Sequence, residues 1–307
     1  MLYHLAQRSV FTLIVLFLSS LTIFVTVQLP PGGTPVRPRG APVYVQYLTW
    51  VNQIISEGDF GWSRGWRQPV GELIRERILL TVIISLSALL LTYVIAIPVS
   101  LYSATHPYTW LDTVLSTLGL LGMAIPNFLL ALLILVFLSR TFGLIAGGLF
   151  SPEYLRAPWS AGKVMDLLAH LPLPVVVVGT ASTATVIRVL RATLMDELER
   201  HYIKSARARG LSEVRLLLKY PVHMALNPVV STIGTMLPLI VSGSVITAIV
   251  LGLPTVGPLL VRAILEQDTY LAAAILLLLS VLTIVGNALS DVLLAALDPR
   301  IRFMNRE

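Results

Sequence analysis

The chain alternates long apolar stretches with short polar ones. Six of the apolar stretches, residues 10–29, 79–101, 113–138, 171–187, 229–251 and 270–294, approach or exceed the length at which a helix crosses a bilayer. About 20 apolar residues cover about 30 Å of hydrocarbon, and a helix satisfies its own N–H and C=O groups on the way. The pattern predicts an all-α polytopic membrane protein with six transmembrane helices. The fourth stretch is the shortest. The first exceeds the roughly 7–15 apolar residues of a secretory signal and ends in Gln28-Leu29-Pro30-Pro31 without an Ala-x-Ala site, so it is read as a retained anchor. After it, the Pro and Gly residues up to Gly40 forbid a helix, whereas 43–55 and 70–78 read as short helices lying against the membrane. Trp50, Trp62, Trp66 and Trp159 fall where amphipathic rings anchor among headgroups. The organisation expected is an anchor helix and extracytoplasmic loop over 1–78. A five-helix core over 79–307 follows, interrupted by a polar segment at 188–228.

Composition agrees with this class: 56% of residues are hydrophobic and only 12% charged, against about 25% charged in a soluble domain. The net charge of +6 does not indicate nucleic acid, because Lys and Arg sit between apolar runs, where they set topology. Eight of the 22 basic residues crowd into 188–228 between two membrane ends. The long 30–78 loop holds six, but it is near the length at which the positive-inside rule weakens. This distribution predicts both termini and the 188–228 segment in the cytoplasm.

The chemistry available is narrow. With no cysteine there is no disulfide, thiolate metal site or cysteine nucleophile. The middles of the six stretches carry no ionisable group, so there is nothing in them to store a proton or sodium gradient. Arg188 and Asp291 sit at stretch ends, placed to snorkel or to pair. The sequence has no His-Glu-x-x-His, Gly-x-Ser-x-Gly or phosphate-loop motif. His4, His106, His170, His201 and His223 are scattered without metal-ligand spacing. Ser242-Gly243-Ser244 reads as small residues that let helices approach.

The polar island is the exception. Two short helical pieces, 202–209 and 213–219, are joined by Gly210, suited to a positive φ, and Ser212 is placed to cap the second. A rigid bent finger is expected there. Ser231, Thr235, Pro238 and Ser242 in the fifth stretch recur at intervals of four, three and four, on one helix face. That face suits a weakly polar translocation path, and equally suits close packing through small residues. Asn127, Thr180 and Thr183 are further path candidates.

Ala206-Arg207-Ala208-Arg209-Gly210-Leu211-Ser212, continued in register by Ala225-Leu226-Asn227-Pro228, resembles the cytoplasmic motif of the inner-membrane permease subunits of ABC importers. The oligopeptide and dipeptide branch is the nearest, with Lys204 where the general motif has Glu. Arg188-Val189-Leu190-Arg191, Leu253-Pro254-Thr255-Val256-Gly257 and Asp298-Pro299-Arg300 are similar too, as are Asp59-Phe60-Gly61, Pro98 and Ile125-Pro126-Asn127-Phe128. The chain departs at Pro31-Gly32-Gly33-Thr34-Pro35, at Pro254-Thr255 and in the 102–112 turn, which lacks basic residues. These departures bear on substrate and on the fit to a binding protein.

The resemblance implies a type I ABC importer permease fold in a bacterial or archaeal cytoplasmic membrane. It implies a second homologous permease, two ABC ATPase subunits and an extracytoplasmic substrate-binding protein as partners. No cofactor is expected on this chain; ATP and Mg²⁺ would be held by the ATPases. Residues Lys204, Ser205, Ala206, Arg207, Ala208, Arg209, Gly210 and Leu211 would form the coupling helix, with Ala206 and Leu211 as contacts and Arg207 and Arg209 as charged flankers. The substrate expected is a short peptide, with nickel chelates, glutathione and oligosaccharides as alternatives. A channel or scaffold independent of ATPases is the reading from another class.

Overall fold

A computed structural model describes residues 2–28, 41–144, 147–231, 233, 236, 240 and 244–297. Thr235, Pro238 and Ser242 of the expected path face lie outside the described residues. So do the Pro-Gly segment after Gln28 and the Asp298-Pro299-Arg300 motif. The chain forms two compact units, Met1–Ile83 with Pro254–Val285 and Ile84–Leu253 with Gly286–Glu307.

In the first unit, α1 (Leu2–Gln28) carries the first apolar stretch and α2 (Val43–Asn52) runs on into a π-helical turn at Gln53–Glu57 that ends on left-handed Gly58. Phe24 of α1 and Tyr47 and Trp50 of α2 pack ring to ring, and a buried hydrogen bond joins Ser20 Oγ and the Tyr47 hydroxyl at 2.7 Å. Trp50 is thus a core residue, 3% exposed, and not the headgroup anchor expected. A two-stranded ribbon, β1 (Trp62–Ser63) and β2 (Gln68–Pro69), follows. The guanidinium groups of Arg77 and Arg262 lie over the ring of its turn residue Trp66, 5.4 and 4.8 Å from the ring centre. Buried Asp268 accepts from Ser63 Oγ (2.5 Å) and Gly65 N (3.3 Å), tying the ribbon to the segment before the last helix.

The expected surface helix at 70–78 does not exist as a separate element. It is the opening of α3 (Val70–Thr105), a single 36-residue helix. No Gly or Pro interrupts residues 72–97, and Glu72 favours the positive helix N-terminus, so nothing ends the helix at the membrane surface.

The third apolar stretch is likewise corrected. It is two helices, α4 (Trp110–Ala124) and α5 (Asn127–Phe142), bent by 103° at Ile125 and Pro126. Pro126 has no N–H to give to α4, and Ile125, as the residue before proline, is driven to extended backbone at φ −84°, ψ 119°. The 147–170 loop holds a helix the hydropathy pattern did not reveal, α6 (Ala161–His170). Beside it, buried Lys163 donates to Ala157 O at 2.9 Å under the rings of Phe150 and Trp159.

The fourth stretch extends past its apolar limit into α7 (Pro172–Leu198), since the 188–198 segment is rich in good helix formers. α7 is the hub of the second unit and packs on α4, on α5, on α6 and on α10 (Pro221–Ser231). Glycines lie at two close approaches of α7. A Cβ at Gly179 would lie 3.4 Å from Ala88 O of α3, and one at Gly122 of α4 would lie 3.1 Å from Thr180 Cγ2 of α7. Between α7 and α10 come α8 (His201–Ala208) and α9 (Glu213–Lys219). α11 (Val245–Val250) closes on left-handed Gly252, and α12 (Val256–Leu265) and α13 (Thr269–Leu297) complete the chain. Among the described residues, three helices are long and apolar enough to cross a membrane, and the bent α4–α5 pair makes a fourth.

Candidate coupling elbow and path residues

The elbow is built from the α8 and α9 helices folded onto each other. α8 ends where Gly210 takes φ +79°, a conformation that costs glycine little because it has no Cβ. The Gly210 amide donates to Arg207 O at 3.0 Å as the chain reverses. Ile203 and Ala206 of α8 and Leu216 of α9 then close an apolar seam, with Leu211 and Tyr220 packed at its ends. Across the outside of the turn, Arg207 grips Glu213 through two hydrogen bonds. Those bonds hold the Glu213 carboxyl below the usual carboxylate range and raise the Arg207 guanidinium above its ordinary value.

The expected Ser212 side-chain cap is not formed. The residue has extended backbone at the N-cap position, but its hydroxyl makes no capping bond, and Glu213 in the first turn supplies the favourable charge. Of the residues assigned to the coupling helix, Lys204, Ser205, Arg207, Ala208, Arg209 and Gly210 are exposed and Leu211 is half-buried. Ala206 is buried in the seam, where it holds α8 to α9 from inside.

The elbow is fastened to α7 by a contact the sequence did not suggest. The Tyr202 hydroxyl donates to Glu197 Oε2, and burial together with that carboxylate pushes the phenol up to about 12. Two turns earlier in α7, Arg191 meets Asp112, at the start of α4, in a bidentate pair: Nε to Oδ1 at 3.0 Å and Nη2 to Oδ2 at 2.9 Å. Asp112 is 3% exposed and also accepts from the Tyr108 amide at 2.9 Å and from the Ser116 hydroxyl at 3.3 Å. The signal was present, as a lone Asp opening one apolar stretch and an Arg just past the close of another, but 79 residues separate them.

The described path candidates lie on three helices. Thr183 Oγ1 of α7 donates to Thr92 Oγ1 of α3 at 3.1 Å, and Thr180 Oγ1 donates to Val176 O of its own helix. Ser231 is exposed, with its hydroxyl on Pro228 O at 2.6 Å, and Asn127 is half-buried in the first turn of α5. Thr180 and Thr183 thus take part in the packing of α7 on its neighbours. Among the described residues, no group of three or more His, Cys, Asp or Glu could hold a metal.

Comparison with known proteins places this architecture. Residues 96–303 match the family described as binding-protein-dependent transport system inner membrane component. The oligopeptide transport system permease protein AppB of Bacillus subtilis is 36% identical over 265 residues, 85% of this chain and 81% of that protein. The putrescine export system permease protein SapB of Escherichia coli K12 is 31% identical over 283 residues, 87% of this chain and 88% of that protein. The oligopeptide transport system permease protein OppB of Haemophilus influenzae is 31% identical, covering 85% of this chain and 81% of its own length. Among solved structures, a chain of the MetNI methionine ABC transporter in an inward-facing conformation superposes with a TM-score of 0.57 at 18% identity, covering 74% of this chain and 96% of its own. That likeness concerns the fold. This chain belongs to the family of binding-protein-dependent transport system inner membrane components.

Proposed function

We propose that this permease subunit imports short peptides in an ATP-driven complex, with the α8–α9 elbow as its contact to an ATPase subunit. The single observation that carries the reading is the elbow's construction. A short helix with an exposed basic face is held stiff by an internal apolar seam and fastened to α7, the helix on which the second unit packs. A stiff protrusion of this kind suits a helix-in-groove contact that passes on rigid-body motion. Two ATPase subunits, each holding ATP and Mg²⁺, would supply the energy, and a second permease would complete the path. A soluble binding protein would deliver the substrate. Six membrane crossings with both termini and the elbow in the cytoplasm fit the positive charge in 188–228.

Peptides are favoured by the names of the AppB and OppB relatives. The SapB relative, a putrescine export permease, raises a polyamine as the second reading. A dication would have to cross beside six apolar stretches whose middles contain no carboxylate to pair with it. Purification from native membranes, followed by growth of a deletion strain on defined peptides, tests the proposal. Co-purifying ATPases and a growth defect on peptides are expected. Isolation without any ATPase would defeat the coupling role, and normal peptide growth with altered polyamine content would transfer the substrate to the second reading.

A further inference from the structure

The ion pair between Asp112 and Arg191 lies outside the elbow and outside the path candidates, yet it joins the helices that lead from one to the other. α7 runs from the elbow past Arg191 toward Ala184 and Thr180, which pack on Gly122 of α4. α4 runs from Asp112 past Gly122 to the bend at Ile125 and Pro126. The two helices pack along their length, and the contact of Asp112 with Arg191 lies about 15 Å along α4, at 1.5 Å per residue, from that of Gly122 with Thr180 and Ala184. That packing holds the pair together, and the ion pair adds a polar, directional tie at its elbow-side end. The bidentate geometry fixes direction as well as distance, which a single hydrogen bond would not do. Asp112 also holds the backbone of the preceding turn through the Tyr108 amide, so that turn is tied to the same junction.

We infer that Asp112 and Arg191 are positioning residues that make α4 travel with α7, so that displacement of the elbow reaches the bend between α4 and α5. The inference rests on the reading of the elbow as the ATPase contact. Its prediction is specific: loss of the pair uncouples transport from ATP hydrolysis and leaves assembly intact, because neither residue belongs to the elbow surface.

The test uses the complete complex in lipid vesicles. Wild-type complex that shows no ATP-dependent uptake overturns the functional reading itself, before any variant is made. Given active wild type, Asp112→Asn and Arg191→Lys should hydrolyse ATP at nearly the wild-type rate while substrate taken up per ATP falls about tenfold, an ordinary size for coupling between sites. Reversing the pair with Asp112→Arg and Arg191→Asp together should restore part of the loss. Unchanged uptake per ATP in both single variants, or hydrolysis and uptake falling in proportion, overturns the inference. A second measurement does not depend on how those variants fold. The chain has no cysteine, so spin labels can be placed through Thr113→Cys on α4 and Ala192→Cys on α7, both exposed positions. Their separation should stay constant to within about 2 Å between nucleotide-free and ATP-bound complexes, the scale of an ordinary helix shift. A larger change means the helices move independently and the latch does not exist.

Discussion

Arg207 reaches across the turn of the elbow to Glu213, placing Nε 2.6 Å from Oε1 and Nη2 3.1 Å from Oε2, with both side chains more than half exposed. Water and salt screen a pair in that position, so it steers the shape of the turn more than it stabilises the fold. Because Glu213 titrates below its unfolded value, its contribution is complete above the ordinary carboxylate range, about pH 4.3, and is lost as pH falls through the lower folded value. Amide exchange across 208–214 should therefore be independent of the pair's ionisation from about pH 5 to 8 and quicken below that range. In Glu213→Gln the acid-dependent step should vanish. A wild-type step near neutrality would contradict the assignment.

At Gly210 two costs can be separated. A Cβ there would meet nothing within 4 Å, so a side chain adds backbone strain without a clash. That strain is about 1 kcal/mol for most residues and less for Asn or Asp, which tolerate the left-handed region. Gly210→Asn should keep most uptake, and Gly210→Val should lose much of it. Gly210→Asp, similar in shape to Asn but charged, should abolish ATPase co-purification and uptake while membrane insertion stays normal. Equal behaviour of Asn and Asp would show that the elbow tip is not a docking surface.

Gly179 sits against the backbone of Ala88, where a Cβ would stand 3.4 Å from the carbonyl oxygen. Gly179→Ala should be tolerated with a small shift, whereas Gly179→Leu should force α3 from α7 and cost about 1–3 kcal/mol, the usual penalty for overpacking. Thermal unfolding of the purified variants reads the difference. Equal melting temperatures for Ala and Leu would place the contact elsewhere.

Lys163 is buried with its ammonium between two aromatic faces and on the Ala157 carbonyl. Lys163→Ala removes the cation, the hydrogen bond and the packed stem together, and should destabilise the 147–170 segment by about 2–4 kcal/mol. Limited proteolysis should find this segment newly cleavable, while ATPase co-purification is retained because Lys163 is not part of the elbow. Wild-type resistance would mean that Lys163 contributes little.

Much of this was legible in one dimension. Gly210 between two basic helical pieces foretold the elbow because helix endings are a local matter, settled within a few residues. The break at Ile125 and Pro126 was visible as a motif yet absorbed into a span, since hydropathy averages over residues and is blind to direction. The limit of α7 was missed for the opposite reason: hydrophobicity ends near Ile187, but helix propensity continues to Leu198. Trp50 was misplaced because an aromatic beside a membrane stretch looks the same whether it faces lipid or another helix. The pairing of Asp112 with Arg191, like the seam from Ile203 to Leu216, depends on which helices become neighbours. That information exists only once the chain has folded.

The uninterrupted α3 has a consequence beyond the membrane. Its 36 residues measure about 54 Å along the axis, against about 30 Å of hydrocarbon, so more than a third of the helix stands in water or among headgroups. Where it begins, Arg75, Glu76 and Arg77 occupy successive positions near the ribbon that Trp66 turns. α3 is thus a stalk as well as a span. A helix this long carries its hydrogen-bonded rod past the hydrocarbon without a joint.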